Sequence, residues 1–453
     1  MLEDTIIAVS TPPGHGGIGV ARLSGRRALA VAKTFFRARK GRIQAGIPIL
    51  GDLVEPGSGE AFDEAFLTYF RKPHSYTRED IVELSCHGSP VVLEEVIRLG
   101  ILAGARQADP GEFTLRAYLN GRLDIVQSEA VNDLIRAVSL AQAKVSFRQL
   151  GGSLSGKIDA IRTAMLRVIS GVEAGIEFPD EKLRISRSGT IRELGKIIRA
   201  TGELIAGYDA GRALAEGIVL AIAGRTNVGK STLFNVLLGE DRAIVTRFPG
   251  TTRDFLKEKT IIHDTVYHLI DMAGLGKASH PVEREGIKRG ERLTREADGV
   301  LLVIDVSRGL SLNDKRVIER LHGLRKIFVI NKIDLVRRIE GRRISGLAGD
   351  SPIVEISALS KRNIGALREK IHSTFGARTR KKGEMILHAR QKLLLQEALG
   401  FLVEARTLFG SGYSEEIGAE ELRKALVPIG RLTGGIRAQD VLDDIFGRFC
   451  VGK

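Results

Sequence analysis

Residues 224–231 read GRTNVGKS, a G-x-x-x-x-G-K-S pattern that follows the apolar run GIVLAIA and precedes STLFNVLLG. Such a loop turns successive backbone N–H groups, and then the first turn of a helix, toward phosphate. Lys230 places charge at the β- and γ-phosphates, Ser231 offers a hydroxyl to Mg2+, and Asn227, Val228, Gly229 and Thr232 complete the cradle. Asp271-Met272-Ala273-Gly274 ends a second apolar run, where a carboxylate can hold the magnesium shell and the Gly274 N–H can meet a γ-phosphate. Asn331-Lys332-Ile333-Asp334 ends a third, and its terminal acid suits the N1–H and 2-amino group of guanine. Adenine has no such pair of donors, and Ser357-Ala358 after PIVEI is placed to close over the base, so the expected nucleotide is GTP.

The hydrolytic residue is less evident. A glutamine directly after a D-x-x-G motif commonly orients the attacking water, whereas this chain has Leu275, which cannot. Another polar group must act on the water, and the charge that develops in the transition state needs a substitute for an arginine finger. Asn227 and the run Thr246, Arg247, Phe248, Pro249, Gly250, Thr251, Thr252 carry side-chain and backbone oxygens, hard ligands of the kind a monovalent cation prefers. On its own, Asn227 fits a loop-capping side chain equally well.

These segments require a scaffold of alternating strands and helices. From about residue 214 to 378 the runs GIVLAIAG, GVLLVIDV, KIFVINK and PIVEIS alternate with helix-like segments, which predicts a parallel sheet with helices on both faces. Residues 1–120 mix TIIAVS, GVARLSG, AFLTYF and DIVELSC with turns and a helical VVLEEVIRLGILAG, as in a small α+β domain. Residues 121–213 are helical in pattern: Ile161, Met165, Val168, Ile169, Val172 and Ile176 fall on one face, and Pro179 ends that helix. Residues 387–408 and 415–447 are helical again, so a nucleotide domain inserted into a helical region is expected. Gly14 to Gly19 formally match G-x-G-x-x-G, but the strand-like GVARLSG that follows predicts a tight turn instead of a dinucleotide site.

At 453 residues the chain exceeds one core, and about three domains are expected. The 43% hydrophobic and 27% charged content is that of a folded globular protein. No window approaches about 18 uninterrupted apolar residues and the N-terminus lacks a basic leader, which predicts a cytosolic protein without a membrane partner. Cys86 and Cys450 supply neither a disulfide framework nor paired zinc-ligand spacing. The net charge of +14, with clusters at Arg337, Arg338, Arg342 and Arg343 and at Arg378, Arg380, Lys381 and Lys382, is compatible with a polyanionic partner and equally with solvated surface.

NKxD is the signature of the translation-factor-like GTPases. Beyond it, DTIIAVSTPPGHGGIGVARLSG (4–25), SYTREDIVELSCHGSP (75–90), ADPGEFTLRAYLNGRLD (108–124), EAGIEFPDE (173–181), GTTRD (250–254) and IFGRFCVGK (445–453) together resemble the MnmE/TrmE family almost from end to end. The resemblance implies a multidomain α+β and α/β chain: a folate-binding, dimerising domain at 1–120, a helical bundle domain at 121–213 and 379–453, and an inserted Ras-like P-loop G domain at 214–378. It further implies a potassium-activated GTPase with K+ on Asn227, Thr246, Phe248 and Thr251, Mg2+ on Ser231 and Thr252, and Glu283 as the water-activating carboxylate. Arg22, Glu83, Arg122 and the terminal Lys453 match positions around 5-formyl- or 5,10-methylene-tetrahydrofolate; the family usually has Lys where Arg122 stands, and Thr where Met272 stands. Cys450 admits two roles, a buried structural thiol or a nucleophile near the one-carbon chemistry. The implied partners are a second copy of the chain, an FAD-dependent protein completing a heterotetramer, and tRNA modified at the wobble uridine. A ribosome-assembly GTPase is the competing class, but such a protein would carry an RNA-binding module with a GXXG loop of the KH type, and none is evident.

Overall fold

The computed structural model describes residues 4–177, 186–239, 257–271, 297–339, 341–376, 386–411, 415–434, 445–447, 449 and 452. The chain divides into two compact units, one comprising Met1–Asn132, Phe147–Ile198 and Glu397–Lys453, the other Asp133–Ser146 and Arg199–Gln396.

The first unit contains a seven-stranded sheet of β1 (Ile6–Val9), β2 (Gly16–Ser24), β3 (Phe36–Ala38), β4 (Ile49–Val54), β5 (Ala61–Phe70), β6 (Ile81–Gly88) and β7 (Arg106–Gln107), in the order β3-β4-β5-β6-β2-β1-β7. Period-two alternation sorts its side chains: Ile7 packs with Leu23, Val82, Val96 and Leu99 in one core, while Ile6 and Ala8 pack with Phe113 in another. Helix Pro90–Leu102 starts with proline at its first position, where a missing N–H costs no internal bond, and buries Leu93, Val96 and Leu99. The tight turn expected at Gly14–Gly19 is not formed: Gly16 to Gly19 already belong to strand β2, which pairs with β6 through an irregularity between Gly16 and Gly19.

Helix Ser153–Glu177 packs against helix Glu415–Thr433 in the same unit, burying Ile161, Met165, Val168, Ile169 and Val172. Ile176 departs from the expected buried face: it stands in the last turn of the helix and is 37% exposed. Helix Glu415–Thr433 is also shorter than the pattern predicts, because Gly434 takes a φ of 88° and turns the chain out of the helix.

The second unit holds a six-stranded sheet ordered β13-β12-β11-β8-β10-β9: β8 (Ile218–Ala223), β9 (Lys257–Ile262), β10 (Thr265–Asp271), β11 (Gly299–Asp305), β12 (Lys326–Asn331) and β13 (Ile353–Glu355). All pairings are parallel except β9–β10, so the expected parallel sheet carries an antiparallel edge strand joined by a tight turn. Both faces are covered. Helices Lys230–Gly239 and Ile364–Phe375 bury Leu233, Leu237, Leu367 and Ile371 with Leu220, Ile222 and Leu269, whereas Ile344 and Ala348 of helix Gly341–Ala348 pack with Ala221, Leu302 and Ile330.

This unit also takes in residues that the sequence pattern groups with the helices. Gln142 donates from Nε2 to the carbonyls of Leu214 (2.7 Å) and Ala215 (3.1 Å), and Val145 clusters with Leu214 and Leu387. His388 Nε2 lies 2.9 Å from Asp133 Oδ2. The helical texture of 121–213 is therefore shared between the two units. Among the described residues no helix is long and apolar enough to cross a membrane.

Candidate nucleotide and one-carbon sites

The 224–229 loop joins the end of β8 to helix Lys230–Gly239, so it lies at the carboxyl edge of a parallel sheet, where ligands of such folds bind. Two of its glycines are required by geometry. Gly224 has φ 147° and Gly229 φ 99°, and a Cβ on either would collide, with the Val303 carbonyl in the first case and with Asn331 Nδ2 in the second. Asn227 is itself left-handed, with φ 63°.

Lys230 is 8% exposed and donates to the carbonyls of Gly224 (3.0 Å) and Arg225 (2.8 Å), which folds its ammonium into the concavity of the loop. Burial pushes its pKa down and the Asp271 carboxylate opposes that shift. Ser231 Oγ donates to Asp271 Oδ2 at 2.9 Å, and the other carboxylate oxygen, Oδ1, is buried with no hydrogen-bond partner among the described residues. A buried, uncompensated carboxylate oxygen beside a hydroxyl is what a hard cation with oxygen ligands would satisfy, so these residues fit Mg2+.

Asn331 spans the site. Its Nδ2 donates to the Val228 carbonyl at 2.8 Å and its Oδ1 accepts from the Ala358 N–H at 2.9 Å, so one buried side chain ties the phosphate loop to the Ser357-Ala358 segment. Ser357 Oγ accepts from the Ser360 N–H at 3.2 Å, and Asp334 is exposed at the rim. Lys332 donates to the Asn227 carbonyl (2.8 Å) and to Asp305 Oδ2 (2.7 Å).

Asp305 was not among the candidates from sequence, nor was the pairing of Arg225 Nε with Asp314 Oδ1 at 3.6 Å. The signal for Asp305 was available: an acid ending the uniformly buried strand GVLLVID must find a partner inside. Of the remaining candidates, Thr246, Arg247, Phe248, Pro249, Gly250, Thr251, Thr252, Met272, Ala273, Gly274, Glu283, Cys450 and Lys453 lie outside the described residues.

In the first unit, β2 and β6 place Arg22 directly opposite Glu83. Glu83 Oε1 accepts from Arg22 Nε at 2.8 Å and from its terminal nitrogen at 2.7 Å, with the two side chains 19% and 27% exposed. The Arg22 guanidinium stands 5.8 Å from the Tyr76 ring centre and 5.7 Å from that of Phe113. Arg122 covers the same Tyr76 ring at 4.7 Å and donates to the Tyr76 carbonyl at 2.8 Å, so Arg22 and Arg122 share one aromatic neighbour. Burial raises the Tyr76 phenol pKa, and that hydroxyl pairs with Thr114 Oγ1 at 2.9 Å. A carboxylate and a guanidinium at a half-buried sheet face flanked by rings form a donor and acceptor set that fits the polar edge of a pteridine.

The chain's end also reaches this sheet. Ser10 Oγ donates to the Gly452 carbonyl at 3.0 Å, and Gly452, with φ 91°, lies so close to the Val9 carbonyl that a Cβ would clash. Phe446 and Phe449 pack with Tyr118 and Ile125 and leave room only for glycine at position 111. Since Ala8 is paired with Arg22, Gly452 meets the strand that adjoins the Arg22–Glu83 pair.

A family model described as the MnmE helical domain matches residues 125–450, and another described as the GTP-binding protein TrmE N-terminus matches residues 5–122. Full-length relatives described as tRNA modification GTPase MnmE include one from Koribacter versatilis at 41% identity over 458 residues and one from Geobacter sulfurreducens at 41% over 457 residues. A third, from Aquifex aeolicus, is 39% identical over 454 residues; each alignment covers 100% of this chain and 100% of the relative.

Proposed function

Because the chain belongs to the MnmE family of tRNA modification GTPases, we propose that GTP hydrolysis here is activated by potassium and serves modification of the wobble uridine in certain tRNAs. An FAD-dependent partner protein works with it to add an aminomethyl-type group at C5, the carbon coming from a tetrahydrofolate. The observation that carries the nucleotide part is the Ser231–Asp271 pair, whose second carboxylate oxygen has no partner among the described residues, set beside Lys230 in a loop that Asn331 holds from the guanine side.

The chemistry follows from these positions. The loop N–H groups and Lys230 bind and orient the phosphates, and the buried ammonium is strongest as a charge donor once phosphate takes the place of its two carbonyl partners. Asn331 aligns the base-side segment, and Asp334 offers its carboxylate to guanine. Ser231 with Thr252 would hold Mg2+, which when bound neutralises charge on the β- and γ-phosphate oxygens. Asn227, Thr246, Phe248 and Thr251 are the proposed K+ ligands, and Glu283 the group that orients water. For the one-carbon half, Glu83 and Arg22 would bind the polar edge of tetrahydrofolate, with Arg122 and Lys453 answering its acidic tail. A homodimer is proposed on the resemblance of residues 1–120.

Turnover of GTP measured in KCl and in NaCl at equal ionic strength should be much faster in potassium. Equal rates would remove the cation from the proposal. Mass spectrometry of tRNA nucleosides from cells lacking the protein should show loss of the modified wobble uridine. Unchanged wobble uridines would instead favour a ribosome-assembly role.

A further inference from the structure

Asp305 ends β11 with a side chain that has no exposed surface, so it cannot touch a nucleotide directly. Both its oxygens are engaged. Oδ1 accepts from the Ser307 N–H (2.9 Å) and Ser307 Oγ (2.6 Å), and Oδ2 accepts from Lys332 Nζ (2.7 Å). Burial alone would raise the carboxyl's pKa, but the bonds from Lys332 and Ser307 outweigh it and hold the group below its ordinary value, so it is ionised at neutral pH. Lys332 is its close cation, since the exposed Arg308 reaches the same Oδ2 only at 4.0 Å, and a buried carboxylate is costly to leave without such a partner.

That cation has a second contact. The same Lys332 ammonium donates to the Asn227 carbonyl at 2.8 Å, in the left-handed corner of the phosphate loop, while Lys332 itself takes φ 68° at the exit of β12. Asn331 bonds the next carbonyl, that of Val228. Two adjacent loop carbonyls are thus held from the guanine-recognition segment, one by a neutral amide and one by an ammonium whose position is set from below by Asp305.

We propose that Asp305 is a positioning residue for guanine nucleotide binding: it seats the Lys332 ammonium on the Asn227 carbonyl and so links the guanine end of the site to the phosphate end. The proposal deepens the reading of this unit as a GTP site and rests on it. Its consequence is that phosphate affinity depends on a residue that contacts neither phosphate nor base.

The test is a double-mutant cycle on GDP affinity in the full-length protein, using Asp305→Ala, Lys332→Met and the combination, with a fluorescent GDP analogue as probe. Hydrogen bonds to charged groups predict that Asp305→Ala weakens GDP by about ten- to a hundredfold. If Asp305 acts through Lys332, the double variant loses no more than Lys332→Met alone, within about twofold. Losses that multiply would overturn the proposal. Asp305→Asn keeps the volume and one acceptor while removing the charge, so it guards against misfolding: it should weaken GDP nearly as much as Asp305→Ala while melting close to the parent protein. Parent-like GDP affinity in Asp305→Asn would equally overturn it. Failure of the parent protein to bind GDP would be a different result, removing the GTP-site reading itself.

Discussion

The two sheets present their candidate site residues in opposite ways. In the six-stranded, mainly parallel sheet, Asp271, Asp305 and Asn331 are the last residues of β10, β11 and β12, and the phosphate loop leaves the end of β8. Their strand interiors are largely apolar and serve as struts. In the seven-stranded, mainly antiparallel sheet, Arg22 and Glu83 project from within paired strands and meet only because β2 and β6 are in a particular register, 61 residues apart in the chain. A strand-end site is built from contiguous motifs and tolerates sheet variation between them. A mid-strand site depends on register, since a slip of one residue would send either side chain to the other face.

Four measurements would break or sharpen that contrast. The largest effect is expected in the parallel-sheet unit, where Glu283→Ala should lower GTP turnover by about 10²–10⁴, the range for losing a positioned acid or base, with GTP affinity little changed. A fall of less than threefold in steady-state assays would remove Glu283 from that role.

Next comes the ionic lattice around the buried Arg116–Glu112 pair of the other unit. Arg116, 1% exposed, donates to Glu112 (2.9 Å), Asp4 (2.8 Å) and Glu79 (3.1 Å), and Arg106 shares Glu112 and Asp4. Arg116→Leu removes the buried cation of this set, leaving Glu79 without its guanidinium while Arg106 stays on Glu112 and Asp4, and should destabilise this unit by up to about 3–5 kcal/mol in denaturant unfolding. Little or no loss would mean that water replaces the guanidinium. In either case nucleotide affinity should hold if the two chemistries are separately built.

A smaller effect is expected from Glu83→Gln, which keeps shape but removes the charge facing Arg22. Titration with 5-formyl-tetrahydrofolate should show about tenfold weaker binding, while GTP turnover stays within twofold. Parent-like folate affinity would place that ligand elsewhere. The smallest concerns Cys86, whose Sγ lies 3.6 Å from the Gly19 carbonyl between β2 and β6. Burial first, and the Asp63 charge second, push its thiol up to about 11. At pH 8 only about one molecule in a thousand would carry the thiolate, so alkylation of the folded protein by iodoacetamide should be slow and should accelerate on unfolding. Fast alkylation in the folded state would show that this stretch of the sheet opens readily.

The strand-end positions of GRTNVGKS, Asp271 and NKID were legible, because each motif follows an apolar run and combines backbone geometry with functional groups within a few residues. The strand TIIAVS, the helix VVLEEVIRLGILAG and the buried stripe from Ile161 to Val172 were equally legible, since periodicity reports which face is covered. Tertiary structure alone decided what lies beyond local range. It set the antiparallel edge strand β9, the sharing of the helical segments between two units, and the use of Asp305 as the anchor of Lys332. It also brought Gly452 to Ser10, a hydrogen bond spanning 442 residues of chain. Short motifs and periodicity state what a segment needs, an anion, a partner face or a turn, because those needs arise from its own groups. Which distant segment meets the need depends on register and packing, and these are properties of the whole chain.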